Sequence, residues 1–307
     1  MSNHTLNIIT RESPLAMWQA KFVRQNLLVI YPDLSINING ITTEADKFLD
    51  RSLEKLGGKG AFTKELEVAL LDGSADFAVH SMKDVTAELP DRLQICSILK
   101  RESSGDAFIS NKYNDIDELP EGSIIGTSSL RRISQLLAYR PDLSIKSIRG
   151  NVGTRLKKLD AGEFDALILA TAGLNRLGMH KRIAHEISMD IMLPAIGQGA
   201  LGLEVCIDNT EKTGLLQSLN DSVTYACVMS ERRVNEKLNG GCHSPIAAHA
   251  ILNGSSIEIS AMVGSVDGKR IIKEYLSGPF EKATELGDAV GDALLSKGAR
   301  ELLLSQC

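Results

Sequence analysis

The densest run of chemically useful residues is His80-Ser81-Met82-Lys83-Asp84, where an imidazole, a cation and a carboxylate stand close together. A carboxylate beside a cation suits acid–base work, although the same residues could form an ordinary turn. A second set is cationic: Arg131, Arg132, Arg149, Arg155 and Arg176 share one stretch of chain. Guanidinium groups bind carboxylates through paired hydrogen bonds and stay charged when partly buried, which suits a polyanionic ligand. The third is Gly240-Gly241-Cys242-His243-Ser244-Pro245, a tight loop able to expose the Cys242 thiol. Neighbouring Cys and His side chains rarely converge, so a cysteine hydrolase dyad is a poor reading.

Two glycine runs need weighing. Gly197-Gln198-Gly199-Ala200-Leu201-Gly202 spells G-x-G-x-x-G, but Pro194 precedes it closely and Leu203 to Ile207 reads as a strand. A dinucleotide site needs a helix there, so a hinge or chain crossing is expected instead. Gly57-Gly58-Lys59-Gly60 lacks the P-loop spacing and reads as a flexible loop. No His and acid residues stand at metal-ligand spacing, and no metal is expected. The five cysteines (Cys96, Cys206, Cys227, Cys242 and Cys307) are scattered without a C-x-x-C pair, as in a reduced compartment.

The elements that must position these groups alternate. Leu6 to Thr10 reads as a strand, Pro14 to Ile30 as a helix with proline in its first turn, and Ser35 to Ile41 as a strand. Thr63 to Leu71 reads as a short helix stopped by Asp72-Gly73, and Phe77 to His80 as a strand. The pattern then recurs: strand 123–126, helix 130–139, strand 145–148, helix 153–159, strand 166–170. Such alternation predicts α/β units with parallel sheets. Arg131-Arg132, Arg149 and Arg176 each follow a strand end, where ligands of α/β sheets bind. Further on, Val223, Cys227, Val234 and Leu238 share a helix face ended by Gly240-Gly241. Two strands, 257–263 and 271–276, flank the turn signal Asp267-Gly268, and one amphipathic helix runs through Leu286 to Leu302.

With 307 residues, 43% of them apolar and 24% charged, the chain is of globular type and long enough for two or three domains. No apolar run reaches membrane-spanning length, and the amino terminus shows no secretory pattern, so a cytoplasmic protein is expected. The net charge of −5 argues against nucleic acid as a partner. It conceals a division, because residues 123–182 hold eleven lysines and arginines against four acids, which is +7 there and −12 elsewhere. That concentration fits either a solvated basic face or an anion site, and its placement after successive strands favours the site.

Six segments, in order, carry a family resemblance: Arg11-Glu-Ser-Pro-Leu-Ala, Val79-His-Ser-Met-Lys-Asp-Val, Gly126-Thr-Ser-Ser-Leu-Arg-Arg, Ile148-Arg-Gly-Asn-Val-Gly-Thr-Arg155, Leu193-Pro-Ala-Ile-Gly-Gln-Gly and Asn239-Gly-Gly-Cys-His-Ser-Pro. Over essentially its full length the chain resembles the hydroxymethylbilane synthase, or porphobilinogen deaminase, family. The resemblance implies an α/β fold of two periplasmic-binding-protein-like lobes with a cleft between them, plus a small C-terminal α+β domain. It divides the chain into 1–99 with 200–220, 100–199 and 221–307. It also implies head-to-tail condensation of four porphobilinogen units, each losing ammonia, on a dipyrromethane cofactor joined by a thioether to Cys242. Hydrolysis then releases the linear tetrapyrrole hydroxymethylbilane.

By the same resemblance Asp84 is the catalytic carboxylate, placed to stabilise the positive charge on the pyrrole. Arg11, Ser13, Lys83, Thr127, Ser129, Arg131, Arg132, Arg149, Gly150, Arg155 and Arg176 hold acetate and propionate groups, while Lys59, Phe62, Ser81 and Gln198 belong to cleft loops. A monomer without membrane or nucleic-acid partners is expected. Thr86-Ala87, Ala61 and His243-Ser244 depart from the family's usual residues without removing a charged or nucleophilic group. The competing reading is a non-catalytic two-lobed binding protein for an anionic metabolite, which leaves Cys242 and Asp84 without a role.

Overall fold

The computed structural model describes residues 5–44, 60, 62–241 and 244–304. They form two units, one running to Arg101 and resuming at Ala200–Tyr225, the other made of Glu102–Gly199 and the chain from Ala226 onward.

Unit 1 is built on β1 (Thr5–Arg11), β2 (Ser35–Ile41), β3 (Phe77–Ser81), β4 (Leu93–Ile98) and β10 (Leu201–Cys206), in the order β2-β1-β3-β10-β4. Helix α1 (Pro14–Ile30) starts where the sequence predicts, with proline in its first turn and the Ser13 hydroxyl accepting the Ala16 amide at 3.2 Å. Its buried residues Ala16, Ala20, Val23 and Leu27 recur every three or four positions. Ala20, Val23 and Leu27 pack on Leu6, Ile8, Phe77 and Val79 of the sheet. Burying each large aliphatic side chain contributes roughly 1.5–3 kcal/mol. Helix α2 (Lys64–Leu71) covers the other face, setting Leu66 and Leu70 against Ile9 and Ala78. It stops at Asp72-Gly73, where Gly73 takes a φ of 78°. Helix α6 (Thr210–Leu216) follows β10.

Unit 2 contains β5 (Asp106–Ile109), β6 (Ile124–Gly126), β7 (Ser144–Lys146), β8 (Ala166–Ala170) and β9 (His185–Ile187), in the order β7-β6-β8-β5-β9. Helices α3 (Leu130–Tyr139), α4 (Val152–Asp160) and α5 (Thr171–Arg176) follow β6, β7 and β8. It also holds an antiparallel sheet, β11 (Ile246–Asn253), β12 (Ser256–Gly264) and β13 (Ile271–Pro279), with its own apolar core. Helices α7 (Ser222–Lys237), α8 (Ala283–Ser296) and α9 (Ala299–Leu304) complete the chain.

The two five-stranded sheets have one plan. In each, the first strand of a parallel trio lies between the second and third, and the next strand along is antiparallel. That antiparallel strand is the first one laid down after the chain crosses between the units: β5 on entering unit 2 at Glu102, β10 on returning to unit 1 after Gly199. The sheets are therefore mixed, where the alternation alone predicts parallel ones. Element boundaries also differ, two of them for visible local reasons, and β13 runs on from 276 to Pro279. Strand β7 ends at Lys146 and not at 148, because the Ile148 amide and carbonyl both bond the Ser128 hydroxyl, at 3.0 and 2.8 Å. The single C-terminal helix is broken into α8 and α9 at Gly298, whose φ is 88°. Val223 is exposed and leaves the shared face to Cys227, Val234 and Leu238. No helix of the described residues is long and apolar enough to cross a membrane.

Candidate active site

Unit 1 gathers its chemistry where β1 and β3 end. Arg11 closes β1, and its guanidinium carbon lies 4.4 Å from the centroid of the Phe62 ring, a cation–π contact. Ser13 caps α1 next to it. Strand β3 delivers His80 and Ser81, then a 3-10 turn of Met82–Asp84 presents Lys83 and Asp84, both half-buried. The Ser81 hydroxyl accepts the Gln19 amide at 2.8 Å, and the Met82 amide donates to the Ala200 carbonyl at 3.0 Å. The Met82 side chain fills a notch over Gly202, where a Cβ would collide with its sulfur. Arg11, Ser13, Gln19, Phe62, His80, Ser81 and Asp84 line one pocket.

In unit 2 three strand ends present arginines, for distinct local reasons. After β6, the Thr127 hydroxyl is buried and accepts the Ser129 amide at 3.3 Å, shaping the turn into α3, whose N-cap position is Ser129. After β7, Gly150 adopts a φ of 111°, and the Asn151 side chain caps α4 by accepting the Thr154 amide at 2.9 Å. Arg149 is half-buried on this loop, and Arg155 donates from Nε to the Gly150 carbonyl at 2.8 Å. After β8, Arg176 ends α5 and donates to the Gly199 carbonyl at 2.6 Å. Burial lowers its guanidinium to about 10, against the opposing pull of Glu102.

Arg131 and Arg132 differ from the ligand-facing role expected of them. They are 4% and 7% exposed, and both face Asp106 on β5. Arg131 donates to Asp106 Oδ2 at 2.8 Å and to the Leu193 carbonyl at 2.6 Å. Arg132 donates to Asp106 Oδ1 from Nε and Nη2, at 3.0 and 2.7 Å, and to the Ile168 carbonyl at 2.9 Å. Gln198 joins them, its amide donating to Asp106 Oδ1 at 3.1 Å. Burial would raise the Asp106 carboxyl, but the two guanidiniums outweigh it and hold the group well below the usual carboxylate range. The cluster carries two cations against one anion, and Arg131 Nε is buried without a hydrogen-bond partner.

The glycine run resolves into three separate demands. Gly197 and Gly199 take φ of 68° and 87°, a Cβ on Gly199 would collide with the Glu102 carbonyl, and Gly202 makes room for Met82. Strand β10 follows it, so no dinucleotide helix exists there. Lys59 and Cys242 lie outside the described residues. On either side of Cys242, the Gly241 amide donates to the Ser244 hydroxyl and the Ser244 amide to the Gly241 carbonyl, each at 3.0 Å. Sequence reasoning missed Gln19, Ser128, Glu204 and Asp106. The last two are lone acids in otherwise apolar strands, a pattern that does not name their partners.

Unit 1 thus carries a pocket lined by one carboxylate, and unit 2, on a sheet of matching order, carries a set of strand-end arginines. Residues 6–213 match the family described as "Porphobilinogen deaminase, dipyromethane cofactor binding domain", and residues 225–296 match its C-terminal domain. A porphobilinogen deaminase of Thiobacillus denitrificans is 50% identical over 300 residues, 98% of each chain. Among solved structures, a methionine binding protein, MetQ, is 15% identical with a TM-score of 0.45, over 77% of this chain and 96% of that one. A nutrient binding protein of Burkholderia cenocepacia bound to methionine is 13% identical with a TM-score of 0.44, over 69% and 89%. The chain belongs to the porphobilinogen deaminase family, whose members are transferases carrying a dipyrromethane cofactor.

Proposed function

We propose that the chain is a hydroxymethylbilane synthase that adds four porphobilinogen units head to tail, with loss of ammonia, and releases the linear product by hydrolysis. The observation that carries the reading is the unit 1 pocket, which gathers Asp84, Arg11, Ser13 and Ser81 in a member of this family. The dipyrromethane, joined to Cys242, supplies the nucleophilic pyrrole carbon to which units are added. Asp84 accepts the pyrrole N–H and stabilises positive charge on the reacting ring, and positioned proton transfer of this kind is typically worth about 10²–10⁴-fold. Arg11 and Lys83 hold acid side chains of the incoming unit, with Ser13 and Ser81 as hydrogen-bonding partners.

Arg149, Arg155 and Arg176, with the backbone at Gly150, take acetate and propionate groups of the growing chain. Arg131 and Arg132, with Thr127 and Ser129 shaping the turn beneath them, supply the buried positive charge that suits the same groups. Phe62 lines the unit 1 pocket and Gln198 joins the Asp106 cluster, and Lys59 enters the reading from the family resemblance alone. The residues fit the cofactor chemically: its carboxylates need several cations, and the Asp106 cluster has one in excess. The reading includes three domains (1–99 with 200–220, 100–199 and 221–307), each centred on one of the three sheets. It also includes a cytoplasmic, monomeric protein.

Intact mass and turnover test this together. The purified protein is expected to carry a mass excess of two linked pyrrole units, absent in Cys242→Ser. Asp84→Asn is expected to fold and load normally while losing most turnover. An active protein without the added mass, or an Asp84→Asn variant with wild-type turnover, overturns the reading. A wild type that binds an anionic metabolite without turnover would favour the non-catalytic binding protein.

A further inference from the structure

His80, which lines the unit 1 pocket, belongs to a buried ionisable pair that the roles above leave unused. His80 on β3 and Glu204 on β10 are 5% and 1% exposed, and Nε2 of one lies 2.8 Å from Oε2 of the other. A contact between those two atoms requires one proton, whichever atom carries it. Glu204 Oε1 is buried without a hydrogen-bond partner. Glu67 of α2 approaches the same pair, and its carboxyl is pushed above the usual range by burial, with Glu204 adding to the rise. The charged groups around His80 are thus Glu204 from β10 and Glu67 from α2, with Arg11 from β1 and Asp84 lining the same pocket and Lys83 in the turn that follows.

The geometry connects this pair to Asp84. From His80 to Met82 each residue is fastened: His80 to Glu204, Ser81 to Gln19, and Met82 to the Ala200 carbonyl and the Gly202 notch. Glu204 and Gly202 belong to the same strand, so β10 grips the end of β3 immediately before the turn that carries Asp84. Holding two strands together does not call for an ion pair, since apolar residues of similar volume serve as well or better. Here the pair ties a pocket-lining residue, His80, to β10, while Leu201, Leu203 and Val205 of the same strand enter the apolar core.

We infer that Glu204 and His80 are positioning residues for the reaction assigned to Asp84, fixing the Met82–Asp84 turn and holding one shared proton beside it. The inference rests on the proposed function. Its test is Glu204→Gln in the full-length, cofactor-loaded protein. This variant keeps the side-chain size and a hydrogen-bonding group toward Nε2 but loses the ionisable acid.

The expected result is normal loading by intact mass, an apparent KM for porphobilinogen within about twofold of wild type, and kcat reduced about 10–10²-fold. The pH profile of kcat is expected to change shape, and Glu204→Asp to recover part of the loss. A kcat and pH profile superimposable on those of wild type overturn the inference. His80→Gln is read in the same way should Glu204→Gln fail to fold, and a pair whose loss only unfolds the protein in both variants is structural, which also overturns it. Absence of bilane formation by wild type refutes the proposed function, whereas wild-type turnover with unaffected variants refutes this inference alone.

Discussion

Each five-stranded sheet places a buried carboxylate on the strand that follows the chain's entry into the unit, Glu204 on β10 and Asp106 on β5, but the partners differ. Asp106 meets two guanidiniums, which stay charged at any pH the fold survives. Glu204 meets one imidazole, whose Nε2 lies 2.8 Å from its Oε2. One plan of strands thus supports a cluster of two guanidiniums on one carboxylate in one unit and a proton-sharing pair in the other. The difference follows the tasks proposed for them: holding carboxylates needs fixed positive charge, and chemistry at a pyrrole N–H needs groups that respond to protons.

The strongest way to break the comparison is Asp106→Asn. Removing one side of a buried ion cluster leaves uncompensated charge and costs about 3–5 kcal/mol, which chemical denaturation would read directly. Asp106 is depressed in the fold, so its contribution is fully present above the unfolded carboxylate value, about pH 4, and is lost as pH falls toward the lower native value. The stability gap between wild type and variant is therefore expected to be constant from neutrality to about pH 4 and to narrow below it. A variant as stable as wild type would show that the guanidiniums do not depend on this carboxylate.

Both acids escaped the sequence reading for the same reason. The partners of Asp106 lie 25 and 26 residues away, and that of Glu204 lies 124 away. Hydrophobic periodicity assigns strands but says nothing about which strands pair, so a lone acid in Asp106-Ala-Phe-Ile or Leu-Gly-Leu-Glu204-Val reads as noise. What was legible is local: the proline-started α1, the Asp72-Gly73 stop, the strand-end arginines and the carboxylate four residues after His80. The fate of Arg131 and Arg132 was not local. Their spacing after β6 showed a cation-rich helix start, while their direction depended on an acid supplied by β5.

A middle-sized effect is expected at Gly202, the point where β10 makes room for Met82. Gly202→Ala forces Met82 to move, and overpacking of this kind typically costs about 1–3 kcal/mol. Because Met82 opens the turn that ends at Asp84, kcat is expected to fall further than stability alone explains. Thermal unfolding and steady-state kinetics on the same preparation separate the two. A variant that loses stability but keeps kcat would show that the turn tolerates displacement, and would weaken the contrast between a responsive unit 1 and a locked unit 2.

The smallest expected effect probes how unit 1 holds its own cation. Arg11 rests on the Phe62 ring at 4.4 Å, a contact far softer than the Asp106 clamp. A cation–π contact at a partly exposed site is worth about 0.5–1 kcal/mol, so Phe62→Leu keeps an apolar surface while removing only the ring's electrostatic pull. If Arg11 binds a substrate carboxylate, loosening it weakens ground-state and transition-state binding alike. The apparent KM for porphobilinogen is then expected to rise about two- to fivefold with kcat unchanged. A fall in kcat at constant KM would place Phe62 with the positioning residues around Asp84, and the soft contact would then serve the reaction instead of the binding of its substrate.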